Sequence, residues 1–355
     1  METIASYAVI MAGGAGTRLW PAAREDNPKQ LQSLIFEKPL IAETVERLSA
    51  SYPIDRVLIV TAARYAQAIA RALPDLPRNN IISEPFGRNT AAAIALAAFR
   101  LNRIDSQAVF GVFPADHVVL KPDVLLRAVA FAGRLAQRHR VVDIGVPPNQ
   151  PSTGYGYIEL GGEIEQSDRL TAYQVKRFIE KPDLAAAREY LAAGTFVWNS
   201  GMFVWRVDSY LAALKEFLPE TYRLLSDATS RTEDHLARAY EHIPNVSVDF
   251  AIMERISDVV AIPADFGWLD IGDWAALYDM MDHDAEGNAY DGPHVAIDTK
   301  DSLLLSPRKL VASIGIENLV VVDTDDVLLV MRRDRAQDVK AILDMLRQQG
   351  KTEFL

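Results

Sequence analysis

The sequence contains no cysteine. That removes disulfides, thiolate metal sites and cysteine nucleophiles together, and leaves Asp, Glu, His and water as the means of holding a metal, a donor set for hard cations. No run approaches the about eighteen apolar residues of a membrane span. The first twenty residues also lack the basic region and apolar stretch of a leader, so a cytoplasmic location and no membrane partner are expected. Positive charge is short as well: 37 Lys and Arg stand against 48 Asp and Glu, a net charge of −11. Binding nucleic acid by counterion release needs a basic surface, so no nucleic-acid partner is expected. Small anions are still admissible where local cations or a divalent ion offset the long-range repulsion. The six histidines show no metal-ligand spacing, and no serine stands in a nucleophile elbow. Covalent catalysis is not indicated.

What is present is a chain of 355 residues, 49% hydrophobic, which fits one large domain and a smaller one. From Tyr7 to Val146, apolar runs ("YAVIMA", "RVLIVT", "NIIS", "AVFGVFPADH", "RVVDIGV") alternate with helical stretches at Ala63 to Leu73, Thr90 to Arg103 and Pro122 to Arg138. Such runs, joined by helices, describe a parallel sheet whose ligands bind beyond the carboxyl ends of its strands. After Pro147 further strands are expected in "GYGYIEL", "YQVKRFIEKP" and "TFVWNSGMFVW", with helices from Val207 to Phe217 and Glu233 to His242. The tail from His294 to Met331 consists of short apolar runs and polar turns, which suggests a sandwich, barrel or solenoid. A last helix, Arg335 to Gln349, carries an apolar face that should dock or dimerise.

"GGAGTRLWP" places Gly13, Gly14 and Gly16 directly after the first strand. Glycines here let backbone N–H groups approach an anion closely. The loop is not a Walker A motif, because Thr17-Arg18-Leu19 follows the last glycine where Lys-Ser/Thr is required. Nor is it a dinucleotide fingerprint, since Pro21 interrupts the helix that motif needs. Arg18 and Lys29 remain as charges, Arg for bidentate phosphate contact and Lys as a point charge. A glycine turn beside solvated basic residues is the plain alternative.

Asp116 in "FPADH" ends a central strand, where a carboxylate can hold Mg²⁺ or cap a turn. "GWLDIGDW" adds Asp270 and Asp273, of which Asp273 can serve as a helix N-cap and Asp270 is the better ligand candidate. "RFIEKP" sets Glu180 and Lys181 at a strand end, where alternation points them apart unless the turn at Pro182 redirects one. Gly156, Tyr157 and Asn199 lie among aromatic residues that suit a sugar pocket or ordinary core packing. Arg88, Asn89 and Thr90 begin a helix, either reading a base or phosphate or capping it.

In order along the chain, "GGAGTRLWP" with Lys29, "EPFGRNTAAA", "FPADH", "GYGYI", "FIEKP", "WNSGMF" and "GWLDIGDW" resemble the motif series of the sugar-phosphate nucleotidylyltransferases, in particular those that make GDP-mannose. The resemblance implies an α/β fold: a Rossmann-like mixed, mostly parallel sheet (the nucleotidyltransferase fold) over residues 1–285, and a small all-β domain over 286–355. In shorter relatives that tail is a left-handed β-helix that supports dimerisation, although here it lacks a clean hexapeptide repeat. The implied substrates are GTP and mannose 1-phosphate, and the implied assembly is a homodimer. Gly13, Gly14, Gly16 and Thr17 would line the nucleotide, with Arg88, Asn89 and Thr90 on the base side. Arg18 and Lys29 would meet its phosphates, and Asp116 and Asp270 would hold Mg²⁺, or Mn²⁺ in its place. Glu180, Asn199, Gly156 and Tyr157 would form the sugar pocket, and Lys181 would meet the sugar phosphate. A second activity in a further C-terminal domain is not expected from this sequence. The alternatives are another sugar 1-phosphate or nucleotide on the same fold, and a non-catalytic sensing subunit, which would be expected to have lost one of these charged residues.

Overall fold

A computed structural model describes residues 6–34, 36–229 and 231–355. They form two compact units, each assembled from several stretches of chain: 6–13, 41–115 and 119–268 in the first, and 14–40, 116–118 and 269–355 in the second.

The first unit is built on one sheet. Its early strands are β1 (Ser6–Met11), β2 (Val57–Ala62), β3 (Ile81–Glu84) and β4 (Val109–Pro114), all mutually parallel in the order β3-β2-β1-β4. The helices between them include α1 (Leu40–Leu48), α2 (Ala66–Ala72) and α3 (Asn89–Asn102). In α3 ten residues are buried; its alanine-rich sequence is apolar all round, as a helix inside the core must be. After the short β5 (His117–Val119), α4 (Pro122–Leu135) opens with proline in its first turn, where the missing N–H costs nothing.

The sheet continues through β6 (Val141–Val146), β7 (Tyr157–Ser167), β8 (Leu170–Ile179), β9 (Phe196–Arg206) and β10 (Val259–Pro263), and its full order is β3-β2-β1-β4-β9-β6-β10-β8-β7. The sheet is mixed and mostly parallel, as the resemblance implied: beyond β4 the parallel pairing resumes between β6 and β10. Strand β9 inserts between β4 and β6 antiparallel to both, and β8 runs antiparallel to β7 and β10. Apolar runs mark β9 as central, but strand direction leaves no trace in them. Helix α5 (Leu184–Ala193) is capped by Asp183, whose carboxylate accepts the Ala186 N–H at 2.8 Å. Helices α6 (Val207–Phe217), α7 (Pro219–Ala228) and α8 (Glu233–His242) complete the unit; Trp205, Phe110, Phe203 and Tyr210 are fully buried in its core.

In the second unit β11 (Trp268–Asp270) pairs with β5, and α9 (Trp274–Met280) follows at once. Next come β12 (Ala289–Asp291), β13 (His294–Ile297), β14 (Leu303–Leu305), β15 (Val311–Ile314), β16 (Leu319–Asp323) and β17 (Leu328–Arg332). Strands β12, β14 and β16 stack in parallel, β13 and β15 form a second parallel pair, and β17 closes the first sheet antiparallel. Val311 pairs with His294 and Val320 with Leu303, 17 residues apart, while Leu303 pairs with Ala289, 14 apart, so equivalent positions recur at unequal spacings, neither a multiple of six. Those spacings explain why no hexapeptide repeat is visible. The coil's inner face (Leu303, Leu305, Val320, Val322) packs with Leu19, Trp20, Leu40, Ile271 and Trp274, and with Val339 and Leu343 of α10 (Val339–Gln348). The last helix thus docks; four residues at its expected start, Arg335 to Asp338, lie instead in a 3₁₀ turn.

Candidate active site

In the second unit the chain leaves β1 and turns through Gly16, whose φ of 65° is in the left-handed region. No side chain fits there, since a Cβ would lie 2.3 Å from the Cβ of Lys29. The Lys29 N–H donates to the Ala15 carbonyl at 3.3 Å, so the loop folds over the lysine. Buried beneath it, the Lys29 ammonium donates to Asp116 Oδ2 at 2.8 Å and to Asp270 Oδ1 at 3.5 Å. Asp116 immediately precedes β5 and Asp270 ends β11, and the pairing of these two strands brings the carboxylates together. His117 Nε2 stands 3.8 Å from Asp270 Oδ1. Burial pushes the Asp116 carboxyl up, but the Lys29 ammonium, His117 and the lysine's hydrogen bond outweigh it and hold the group below its usual range.

Two carboxylates that meet one cationic nitrogen can meet one metal ion. Their hard oxygens, completed by water, suit Mg²⁺ or Mn²⁺. Among the described residues no group of three or more His, Cys, Asp or Glu gathers as a fuller metal site. Arg18, in the 3₁₀ turn Thr17–Leu19, donates through Nη1 to Gln337 Oε1 at 3.4 Å, and its guanidinium lies where a Cβ on Gly272 would touch it. Gln337 donates in turn to Asp273, which caps α9 by accepting the Ala275 and Ala276 N–H groups at 2.9 and 3.0 Å. Gly14 is exposed, with open space around the position a Cβ would take.

The first unit gathers the other group. Glu180 and Lys181 leave the end of β8, and the positive φ of Lys181, 46°, breaks the strand's alternation. Lys181 Nζ consequently donates to Glu180 Oε1 at 2.7 Å. The Glu180 side chain is 8% exposed, and its Oε2 is buried without a hydrogen-bond partner among the described residues. Burial raises its pKa; the Lys181 hydrogen bond opposes that, while the charges of Asp249 and Glu254 add to it. A Cβ on Gly156 would come within 2.5 Å of Glu180 Oε2 and 3.2 Å of Asn199 Cβ, so the three converge. Tyr157 lies in the core, its hydroxyl accepting the Ser152 N–H at 2.9 Å. Tyr155, Trp198 and Trp268 cluster with one another, ring centroids 4.8 to 6.4 Å apart.

Arg88 donates to the carbonyls of Tyr240 and Glu241 at 2.7 and 3.2 Å and lies over the Phe86 ring. Asn89 has a φ of 65° and accepts the Thr90 N–H, and Thr90 Oγ1 accepts the Val248 N–H at 2.9 Å. All three make joints within the unit. The motif's unread residue is Glu84: 3% exposed, it accepts the Tyr240 hydroxyl at 3.1 Å, and its Oε2 lies 3.4 Å from where a Cβ on Gly13 would stand. Burial raises its pKa to about 7, against the pull of the Tyr240 hydrogen bond. Its signal in the sequence was a lone acid between a strand and a proline, which many turns share. Asp249 and Glu254 carry no signal in the sequence, because nothing in their local pattern sets them apart.

An α/β fold whose first strand opens into a glycine loop, over a lysine that meets two carboxylates, defines a class of enzymes acting on nucleotide phosphates. The family model described as nucleotidyl transferase matches residues 7–287, and one described as a MannoseP isomerase/GMP-like beta-helix domain matches 292–346. The chain belongs to the nucleotidyl transferase family and is an enzyme. A Klebsiella pneumoniae relative named mannose-1-phosphate guanylyltransferase is 40% identical over 98% of this chain and 75% of its own length. The Pseudomonas aeruginosa alginate biosynthesis protein AlgA is 36% identical over 97% of this chain and 73% of its own. A solved structure from Thermus thermophilus, described as a mannose-1-phosphate geranyltransferase, superposes with a TM-score of 0.87 at 33% identity, covering 96% of this chain and 99% of that one. Among the described residues no helix is long and apolar enough to cross a membrane.

Proposed function

We propose that this enzyme transfers GMP from GTP to mannose 1-phosphate, releasing pyrophosphate and forming GDP-mannose. The observation that carries the reading is the buried Lys29 ammonium shared by Asp116 and Asp270 beneath the glycine loop, alongside relatives named for this reaction. A phosphate oxygen of the sugar phosphate bonds to the α-phosphorus as the bond to the leaving β-phosphate oxygen breaks. The attacking oxygen is already anionic at neutral pH, so no general base is required and catalysis rests on positioning and charge stabilisation. Gly13, Gly14, Gly16 and Thr17 present backbone to the nucleotide, with Arg88, Asn89 and Thr90 on the base side. Arg18 and Lys29 stabilise the phosphates. Asp116 and Asp270 would hold the divalent cation, Mg²⁺ or Mn²⁺, which supplies charge neutralisation and orientation when bound. Glu180 accepts from sugar hydroxyls, Asn199 and Gly156 shape the pocket beside Tyr157, and Lys181 meets the sugar phosphate.

The same reading sets the catalytic domain at 1–285 and the β domain at 286–355, and makes the enzyme a cytoplasmic homodimer. Light scattering checks the assembly. Pyrophosphate release across a panel of nucleoside triphosphates and sugar 1-phosphates tests the chemistry, and GTP with mannose 1-phosphate no better than the ATP or UTP pairs would refute it. Asp116→Ala and Asp270→Ala should each lower kcat by about a hundredfold or more, and Asp116→Ala should also lower Tm, because it leaves the buried Lys29 ammonium without its nearer carboxylate. Wild-type turnover in both variants would remove the two-aspartate assignment.

A further inference from the structure

One short segment braces the sugar pocket from behind. Residues Asp249–Met253 form a π-helical turn, closed by the Glu254 N–H donating to the Asp249 carbonyl at 3.0 Å. Wide turns of this kind displace side chains from the ordinary helical positions and recur beside functional sites. Both ends of this one reach toward pocket residues that come from different strands. At one end Asp249 Oδ1 accepts from Asn199 Nδ2 at 2.8 Å. At the other, Glu254 Oε1 accepts the backbone N–H of Glu180 at 3.1 Å.

The Asn199 amide is thereby oriented on both sides. Its Oδ1 accepts the Gly201 N–H at 2.8 Å while its Nδ2 donates to Asp249. Flipping the amide would set a carbonyl oxygen against a carboxylate and an NH₂ group against an N–H, losing both bonds. An NH₂ group has two hydrogens, so one is spent on Asp249 and the second is held at a defined angle. Asn199 and the partnerless Glu180 Oε2 both border the space that Gly156 keeps open. One aimed donor and one aimed acceptor on the same space form a pair that a sugar's adjacent hydroxyls can satisfy.

We propose that Asp249 is the positioning residue of the sugar pocket, acting through Asn199, with Glu254 holding Glu180 at the other end of the same turn. This rests on the reading of Glu180 and Asn199 as sugar contacts. The consequence is selective: loosening the turn should weaken the sugar phosphate and leave the nucleotide alone. Groups that orient a metal's ligands change its affinity by about 10- to 100-fold when removed, and an effect at the lower end of that range is expected for an oriented sugar contact.

The test is steady-state kinetics of Asp249→Ala, Asp249→Asn, Glu254→Ala, Asn199→Ala and the Asp249→Ala/Asn199→Ala double variant, each varied in one substrate at a time. Asp249→Ala should raise KM for mannose 1-phosphate at least about tenfold, with KM for GTP and kcat within about twofold of wild type. Asp249→Asn keeps an acceptor oxygen and should restore the sugar KM to within about threefold. In the Asn199→Ala background the Asp249 change should add less than about twofold, because the group it orients is gone. Glu254→Ala lies at an exposed position and gives an independent arm, with the same selective rise in sugar KM. An unchanged sugar KM, an equal rise in both KM values, or fully additive effects in the double variant would overturn the proposal. Wild-type activity keeps the two ideas apart: if another sugar 1-phosphate is turned over, the reading of the substrate falls, and the same variants are measured on the sugar that is used.

Discussion

Gly16 shows how narrowly single positions are constrained. Its left-handed φ and the 2.3 Å approach to Lys29 mean that a methyl group must displace either the loop or the lysine. Gly16→Ala should therefore destabilise by about 1–2 kcal/mol from backbone conformation alone, and should lower turnover further by moving Lys29. Denaturant unfolding and kinetics measured on the same preparation check both parts. Glu84 makes a second prediction, in pH. Burial raises its carboxyl from 4.5 to about 7, so between those values the folded protein holds a proton that the unfolded chain has released. Stability is then lost as pH rises through the window, and the loss is complete above the folded value. Glu84→Gln, which cannot ionise, should match wild type near pH 4.5 and exceed it by about 1–3 kcal/mol at pH 8. Thermal unfolding from pH 4.5 to 8 reads the crossing, and parallel curves for the two proteins would reject it.

At the scale of elements, caps and turns explain more than propensity does. Asp273 was legible as an N-cap from its place before "WAALYDM", and it accepts the N–H groups of Ala275 and Ala276 in the first turn of α9. Asp273→Ala should cost about 1 kcal/mol and release Gln337, whose other contact is Arg18. A fall in Tm with a larger fall in kcat is the expected pair; a loss of stability alone would make Gln337 a bystander. The turn after β8 taught the opposite lesson. Strand alternation put Glu180 and Lys181 on opposite sides, and only the positive φ of Lys181, which no residue type announces, turned both the same way.

Across the whole molecule, the tail and the glycine-loop segment share one core. Trp20 Nε1 donates to the Phe354 carbonyl at 2.6 Å, Trp274 Nε1 donates to the Trp20 carbonyl at 2.9 Å, and Arg24 pairs with Asp326. Removing residues 286–355 would expose Leu19, Trp20, Leu40, Ile271 and Trp274, all now at most 5% exposed. A chain of residues 1–285 should accordingly be recovered aggregated or should bind a hydrophobic dye, although the nucleotidyl transferase match falls almost wholly within it. A soluble, cooperatively unfolding product would contradict that.

Short-range chemistry accounts for much of this protein: the apolar runs of the parallel strands, the Asp183 and Asp273 caps, and the glycine loop that excludes Walker and dinucleotide geometry. These depend on residues a few positions apart, and a linear sequence records them directly. Folding alone decided that β9 runs antiparallel between β4 and β6, and that coils of 14 and 17 residues build the tail. It also brought Asp116 and Asp270, which are 154 positions apart, to one lysine, and set a π turn behind Asn199 and Glu180. Strand direction and long-range convergence cost and return free energy through contacts between distant segments, and such contacts have no period to be read in advance.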